Sequence, residues 1–253
     1  MPSRAELVAA RAERALAPSV VPERREVFTS GYAFSRLRVL GVPVPAIRAV
    51  VRQISRELRA DPPDVIVKVA LALVHRGSLE GRQAGWEILA RRADAMAVLS
   101  PRLIDRLSAG NDNWASVDGF ATTIAGLAWR LGRVTDSHAK RWARSQDRWR
   151  RRMALVSTVP LNAVSRGGAG DARRTLMIAG HFARERDPML AKALSWALRA
   201  LVERDPAAVR RFLQRHAATL PAVVRREVTT KLDTGRKQRP RALRRNERRS
   251  DGA

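Results

Sequence analysis

Asp61-Pro-Pro-Asp-Val-Ile-Val-Lys-Val-Ala-Leu-Ala-Leu-Val-His-Arg-Gly-Ser78 decides the fold class. An apolar run, Val65–Val74, lies between a Pro-Pro entry and a Gly-Ser exit, so the stretch reads as a helix over 62–75. Lys68 interrupts the run, which is also far too short to span a bilayer. The same grammar recurs outward in both directions. Turn signals stand at Gly41-Val-Pro-Val-Pro45, Ser100-Pro101, Gly110-Asn-Asp112, Gly167-Gly-Ala-Gly170, Asp187-Pro188 and Asp205-Pro206. Between them the apolar residues keep a helical period, and strand-like alternation is lacking. Helices are expected at 5–17, 27–38, 45–59, 62–75, 79–97, 101–108, 114–131, 136–144, 147–158, 170–184, 188–203, 206–216 and 221–232. Helix pairs joined by short turns, at a spacing of about 35–45 residues, point to an all-α solenoid of HEAT-like repeats in a single curved domain. The repeat is weak in sequence, so an irregular helical bundle is the alternative. The domain is expected over 1–232. Residues 236–249 then carry eight Arg or Lys against one Glu, so 233–253 is expected to be a disordered, phosphate-seeking tail.

The chain has 253 residues, 49 of them Lys or Arg and 24 Asp or Glu, for a formal net charge of +25. Such an excess favours a polyanionic partner. Only five of the cations are Lys (68, 140, 192, 231 and 237), and Arg grips phosphate more specifically than Lys does. The absence of Cys rules out disulfides, thiol nucleophiles and Cys-ligated metal centres. The four His residues show no paired spacing such as HExxH, so neither a metal nor another cofactor is expected. The N-terminus has no apolar signal core. A soluble cytoplasmic monomer, nucleoid-associated when bound to DNA, is the expectation.

Three helices place residues against their own periodicity. In 114–131 the apolar stripe is Val117, Phe120, Ala121, Ile124, Leu127 and Ala128, and Asp118 points about 130° from its mean direction, with Trp114 on the same flank. A carboxylate beside an indole, in so basic a protein, points to chemistry on a developing positive charge. The plainer reading is a first-turn acid favoured by the helix dipole after an Asn113 N-cap. In 188–203, Trp196 lies about 140° from the stripe of Leu190, Leu194, Ala197, Leu198 and Leu201, beside Lys192 and Arg199. It either packs on a neighbouring repeat or meets a sugar or base. In 147–158, Arg152 falls among Trp149, Met153, Val156 and Val159, so it either pairs with a carboxylate or phosphate or snorkels to water. Lys140, Arg141, Arg144, Arg148, Arg150 and Arg151 make the surrounding region the most basic of the body, with Asp147 as its acid.

Taken together, Trp114-Ala-Ser-Val-Asp118, Trp149-Arg-Arg-Arg152-Met-Ala and Lys192-Ala-Leu-Ser-Trp196-Ala-Leu-Arg199 resemble the AlkD-type alkylpurine DNA glycosylases. Tyr32 followed by Gly41-Val, and Arg225-Arg-Glu227, add to a similarity that covers most of 27–232. The resemblance implies that Asp118 is the catalytic carboxylate and that Arg152 helps form the catalytic cleft. It implies that Trp114 and Trp196 hold the damaged nucleotide's sugar and backbone and that Tyr32 lies near the DNA. Lys192, Arg199 and Arg148 would join the DNA-binding set, the two arginines mainly through phosphates. The chain departs from the family at Asn113-Trp114-Ala115, where Trp-Trp-Asp is common, and at Pro160, where some members have Lys.

The implied activity is hydrolysis of the N-glycosidic bond of 3-alkyladenine and 7-alkylguanine in duplex DNA, by a monofunctional enzyme needing no cofactor. The rival reading is a non-catalytic helical-repeat protein that binds damaged or branched DNA. A scaffold for RNA or an acidic protein would use the charge but leave Trp114, Asp118, Arg152 and Trp196 without a purpose.

Overall fold

The computed structural model of the protein describes residues 1–29 and 33–237. The fold is all-α, a succession of helix pairs of the kind expected of a HEAT-like helical-repeat protein. Two compact units divide the chain, Met1–Met153 and the segment from Ala154 on.

The first unit contains α1 (Arg4–Leu16), α2 (Glu23–Thr29), α3 (Val44–Glu57), α4 (Pro63–His75), α5 (Leu79–Ala90), α6 (Ala93–Ala97), α7 (Pro101–Ser108), α8 (Trp114–Phe120), α9 (Gly126–Arg130) and α10 (Asp136–Ala143). The division falls within α11 (Arg148–Val156). The second unit contains α12 (Val159–Asn162), α13 (Ala172–Gly180), α14 (Pro188–Val202), α15 (Pro206–Arg215) and α16 (Ala222–Thr234). The expected tail at 233 thus begins while α16 still runs, and 238–253 lie outside the described residues.

The caps explain most boundaries. Ser3 opens α1 with a capping box closed by Glu6. Ser78, Ser100, Thr135, Asp171, Asp187 and Asp205 each accept a backbone N–H at a helix start. Helix α4 is the deciding stretch of the sequence, and α1 and α5 cover it on two sides. Lys68 leaves this apolar helix on its solvent side, where its Nζ stands 2.8 Å from Asp64 one turn back. Between α5 and α8 the Trp86 and Phe120 rings meet edge to face at 5.2 Å, both fully buried. Each such side chain contributes on the order of 1.5–3 kcal/mol by its removal from water.

Two sequence expectations change. In place of the helix expected over 27–38, α2 spans Glu23–Thr29, and 34–38 are not helical. Ser35 N donates to the Phe28 carbonyl at 2.9 Å and Leu37 N to Ser35 Oγ at 3.1 Å, and carboxylates take several of the remaining backbone donors. Asp112 Oδ2 accepts from Arg36 N at 2.6 Å, and the buried Glu80 accepts from Leu40, Gly41 and Val42 N at 3.0, 2.7 and 3.2 Å. Gly41 has φ +85°, and a Cβ there would stand 2.5 Å from the Val21 carbonyl oxygen. The helix expected over 79–97 breaks into α5 and α6. Arg92 leaves the helical region at the junction, donates to the carbonyls of Leu58 and Asp61 at 2.9 and 3.0 Å, and pairs with Asp94. Among the described residues, no helix is long and apolar enough to cross a membrane.

Candidate active site

The first unit builds its site around the start of α8. Asn113 caps the helix as its sequence implies, its Oδ1 accepting from Ser116 N at 3.0 Å. Its amide nitrogen donates to Ser35 Oγ at 3.0 Å and Asp112 Oδ1 at 3.2 Å, and Ser35 Oγ donates to Asp112 Oδ1 at 2.7 Å. Arg82, buried on α5, reaches the loop before the helix and donates to the Ala109 carbonyl at 2.6 Å. Gly110 in that loop has φ +76°, and a Cβ there would lie 3.1 Å from the Arg82 guanidinium. These contacts determine where α8 starts, and so which turn carries Asp118. Nothing in the sequence marks Ser35 or Arg82, and Asp112 shows there only as part of a turn, because a buried polar network has no period to reveal it.

Asp118 is not an outward-looking acid. Only 14% of its side chain is exposed, and 6% of that of Arg152. Arg152 Nε donates to Asp118 Oδ1 at 2.8 Å and its Nη2 to Oδ2 at 2.7 Å, a two-pronged pair between α11 and α8. The outward angle read from periodicity is relative to the apolar stripe of α8 alone, and α11 supplies a second wall. Of the two readings left open for Arg152, pairing with a carboxylate is the one observed. Burial raises the Asp118 pKa above its ordinary 3.8, while the Arg152 hydrogen bonds and charge oppose the rise. Trp114, one turn before Asp118, is half-buried.

Immediately after this turn the helix widens. Ala121–Ala125 is a π-helical segment, closed by Gly126 N–H to the Ala121 carbonyl, before α9 resumes. Thr122 Oγ1 donates to the Asp118 carbonyl at 2.8 Å. Widened turns of this kind gather at functional positions. On α11, Arg148 is exposed, with its guanidinium 4.9 Å from the centre of the Trp149 ring. Trp149 is half-buried, whereas Met153, Val156 and Val159 are fully inside.

In the second unit, Lys192, Trp196 and Arg199 share α14. The stripe Leu190, Leu194, Ala197, Leu198 and Leu201 is buried as read from the sequence. Lys192 is exposed and Trp196 half-buried. Arg199, which the resemblance assigns mainly to phosphates, has an acid beside it. It is 14% exposed and lies 3.7 Å from Glu227 of α16. Ser195 Oγ donates to Glu227 Oε2 at 2.6 Å and accepts from Arg199 Nε at 3.2 Å. Glu227 is remote in sequence, so helical geometry on α14 alone does not reveal it. Tyr32 lies outside the described residues.

Among the described residues, no cluster of three or more His, Cys, Asp or Glu is placed to hold a metal ion. No curated protein matches the chain. A family model, that of the DNA alkylation repair enzyme, matches residues 12–232 and takes in Trp114, Asp118, Arg152 and Trp196. With most of its length so matched, the chain belongs to the DNA alkylation repair enzyme family.

Proposed function

We propose that the protein is a monofunctional DNA glycosylase that hydrolyses the N-glycosidic bond of cationic alkylpurines in duplex DNA. The observation that carries this reading is the Asp118 carboxylate, removed from bulk water and held in one geometry by Arg152. A 3-alkyladenine or 7-alkylguanine base is already cationic and leaves as a neutral heterocycle, so the departing base needs little acid catalysis. The barrier lies in the oxocarbenium-like sugar. A preorganised carboxylate in a site of low dielectric stabilises that charge without reorganising.

Arg152 uses one hydrogen bond per Asp118 oxygen, and each oxygen keeps further acceptor capacity. Asp118 can therefore face the sugar cation or orient the attacking water while Arg152 fixes its plane. The indole of Trp114 offers a negative face to a cationic nucleotide. Trp196 on α14, by the family resemblance, contacts the DNA, as do Lys192 and Arg148.

The test is release of free base from a duplex carrying one 7-methylguanine, wild type against Asp118→Asn, repeated with 3-methyladenine. Release by the wild type that collapses in the variant supports the proposal. DNA binding by both proteins with no base released by either would overturn it in favour of a non-catalytic DNA-binding protein.

A further inference from the structure

The region read from sequence as the most basic of the body forms a cleft of about 670 Å³ at the end of α10 and the start of α11. Its wall carries Lys140, Arg141, Arg144 and Arg150, with the hydroxyls of Ser137 and Ser145. Arg150 and Arg152 are two residues apart, about 200° around α11. The cleft therefore opens on a different face of the helix from the Asp118 pair.

One carboxylate engages two of the four cations. Asp105 of α7 accepts from Trp142 Nε1 at 2.9 Å and from Arg150 Nη1 at 3.1 Å, and Arg141 Nη2 lies 3.9 Å away. Among the described residues, Lys140 and Arg144 have no carboxylate within ion-pair distance. Lys140 is nevertheless half-buried. One acid among four cations leaves a surplus of positive charge that an anion would relieve. The dipole at the end of α10 favours Lys140 and Arg141, but Arg150 is delivered by the next helix.

The aromatic ring in the wall, Trp142, is fully buried and offers no face for stacking. Recognition here is by charge and hydrogen-bond donors, which is how phosphodiesters are held and bases are not. We propose that this cleft grips backbone phosphates of bound duplex DNA, as a site separate from the Asp118–Arg152 pair. The proposal rests on the DNA-repair reading for the identity of the polyanion.

The experiment is a salt titration of binding to an undamaged duplex, using the full chain as wild type, Lys140→Ala/Arg144→Ala, and a control, Arg52→Ala/Arg56→Ala. The control removes equal charge from exposed positions of α3. The cleft variant should bind more weakly, and its slope of log affinity against log salt should be shallower by about 1–2. The control should keep the wild-type slope. Lys140→Arg/Arg144→Lys, which retains the charge, should restore binding, and thermal melting establishes that each variant folds. If Lys140→Ala/Arg144→Ala does not fold, Lys140→Gln alone should show the same direction of change. An unchanged slope would overturn the proposal, as would an equal loss in the control. So would a loss confined to structured RNA, or tight binding of inorganic phosphate to the wild type without DNA. Base release by the wild type, measured in parallel, reports on the glycosylase reading alone.

Discussion

Two arginine–carboxylate pairs, one in each unit, use the same chemical groups for different ends. Arg152 and Asp118 meet through two parallel hydrogen bonds of 2.8 and 2.7 Å, directly between α11 and α8. Arg199 and Glu227 stand 3.7 Å apart, with the Ser195 hydroxyl as go-between. The first pair holds a carboxylate rigidly beside an indole and a widened helical turn, an arrangement suited to acting on a cation. The second joins α14 to α16 and leaves its acid engaged with a hydroxyl. Burial and an ionic partner are common to both. Geometry separates them: one pair is direct and two-pronged, the other longer and hydroxyl-mediated.

The sharpest way to break this contrast is to remove the arginines. Arg152→Ala leaves Asp118 buried without its partner and should destabilise the protein by about 3–5 kcal/mol in denaturant unfolding. Arg199→Ala should lose only about 1–2 kcal/mol, because its pair is longer and hydroxyl-mediated. Equal losses would make the two pairs energetically alike.

Removing the acids tests chemistry. Asp118→Asn should slow base release by about 10²–10³-fold in single-turnover assays. Glu227→Gln should leave release close to the wild-type rate, and a comparable loss there would move part of the function to the second unit. Ser195→Ala is a smaller change and should lower stability by about 1 kcal/mol.

The smallest expected effect is the pH dependence of Asp118. Its pKa in the fold is raised above 3.8 by burial. Folding therefore favours its protonated form. Its contribution to stability is full below the unfolded-state pKa and is lost as pH rises through the raised value. Catalysis has the opposite sign. On the proposed mechanism base release needs the carboxylate and should fall as pH drops through that same raised pKa. Unfolding free energies of wild type minus Asp118→Asn across this window should decline with rising pH, and a flat difference would remove the burial argument.

Much of the site was legible as residue types. Trp114, Asp118 and Arg152 stood out because each violated the apolar stripe of its own helix, and the Asn113 cap was correctly read. Arg152 required an anionic partner, but α11 has no mark that names Asp118, 34 residues earlier. The neighbour of Arg199 was hidden for the same reason, since Glu227 comes from another helix. Lys68 shows the opposite case. It seemed to interrupt the apolar run of α4, and its partner Asp64 lies one turn away on the same helix, within reach of local geometry.

The sequence by itself determined the helices, their caps and most of their inward faces, because these follow from contacts spanning at most one or two turns. It also determined the charge that favours a nucleic-acid partner. Tertiary structure alone decided how the chain from Arg36 to Val42 is held, since Asp112 and Glu80 accept its backbone donors. It alone decided that Asp118 is covered and Arg199 occupied. Those outcomes depend on which helix packs against the polar flank of another, and a one-dimensional period describes only the flank a helix turns to its own core.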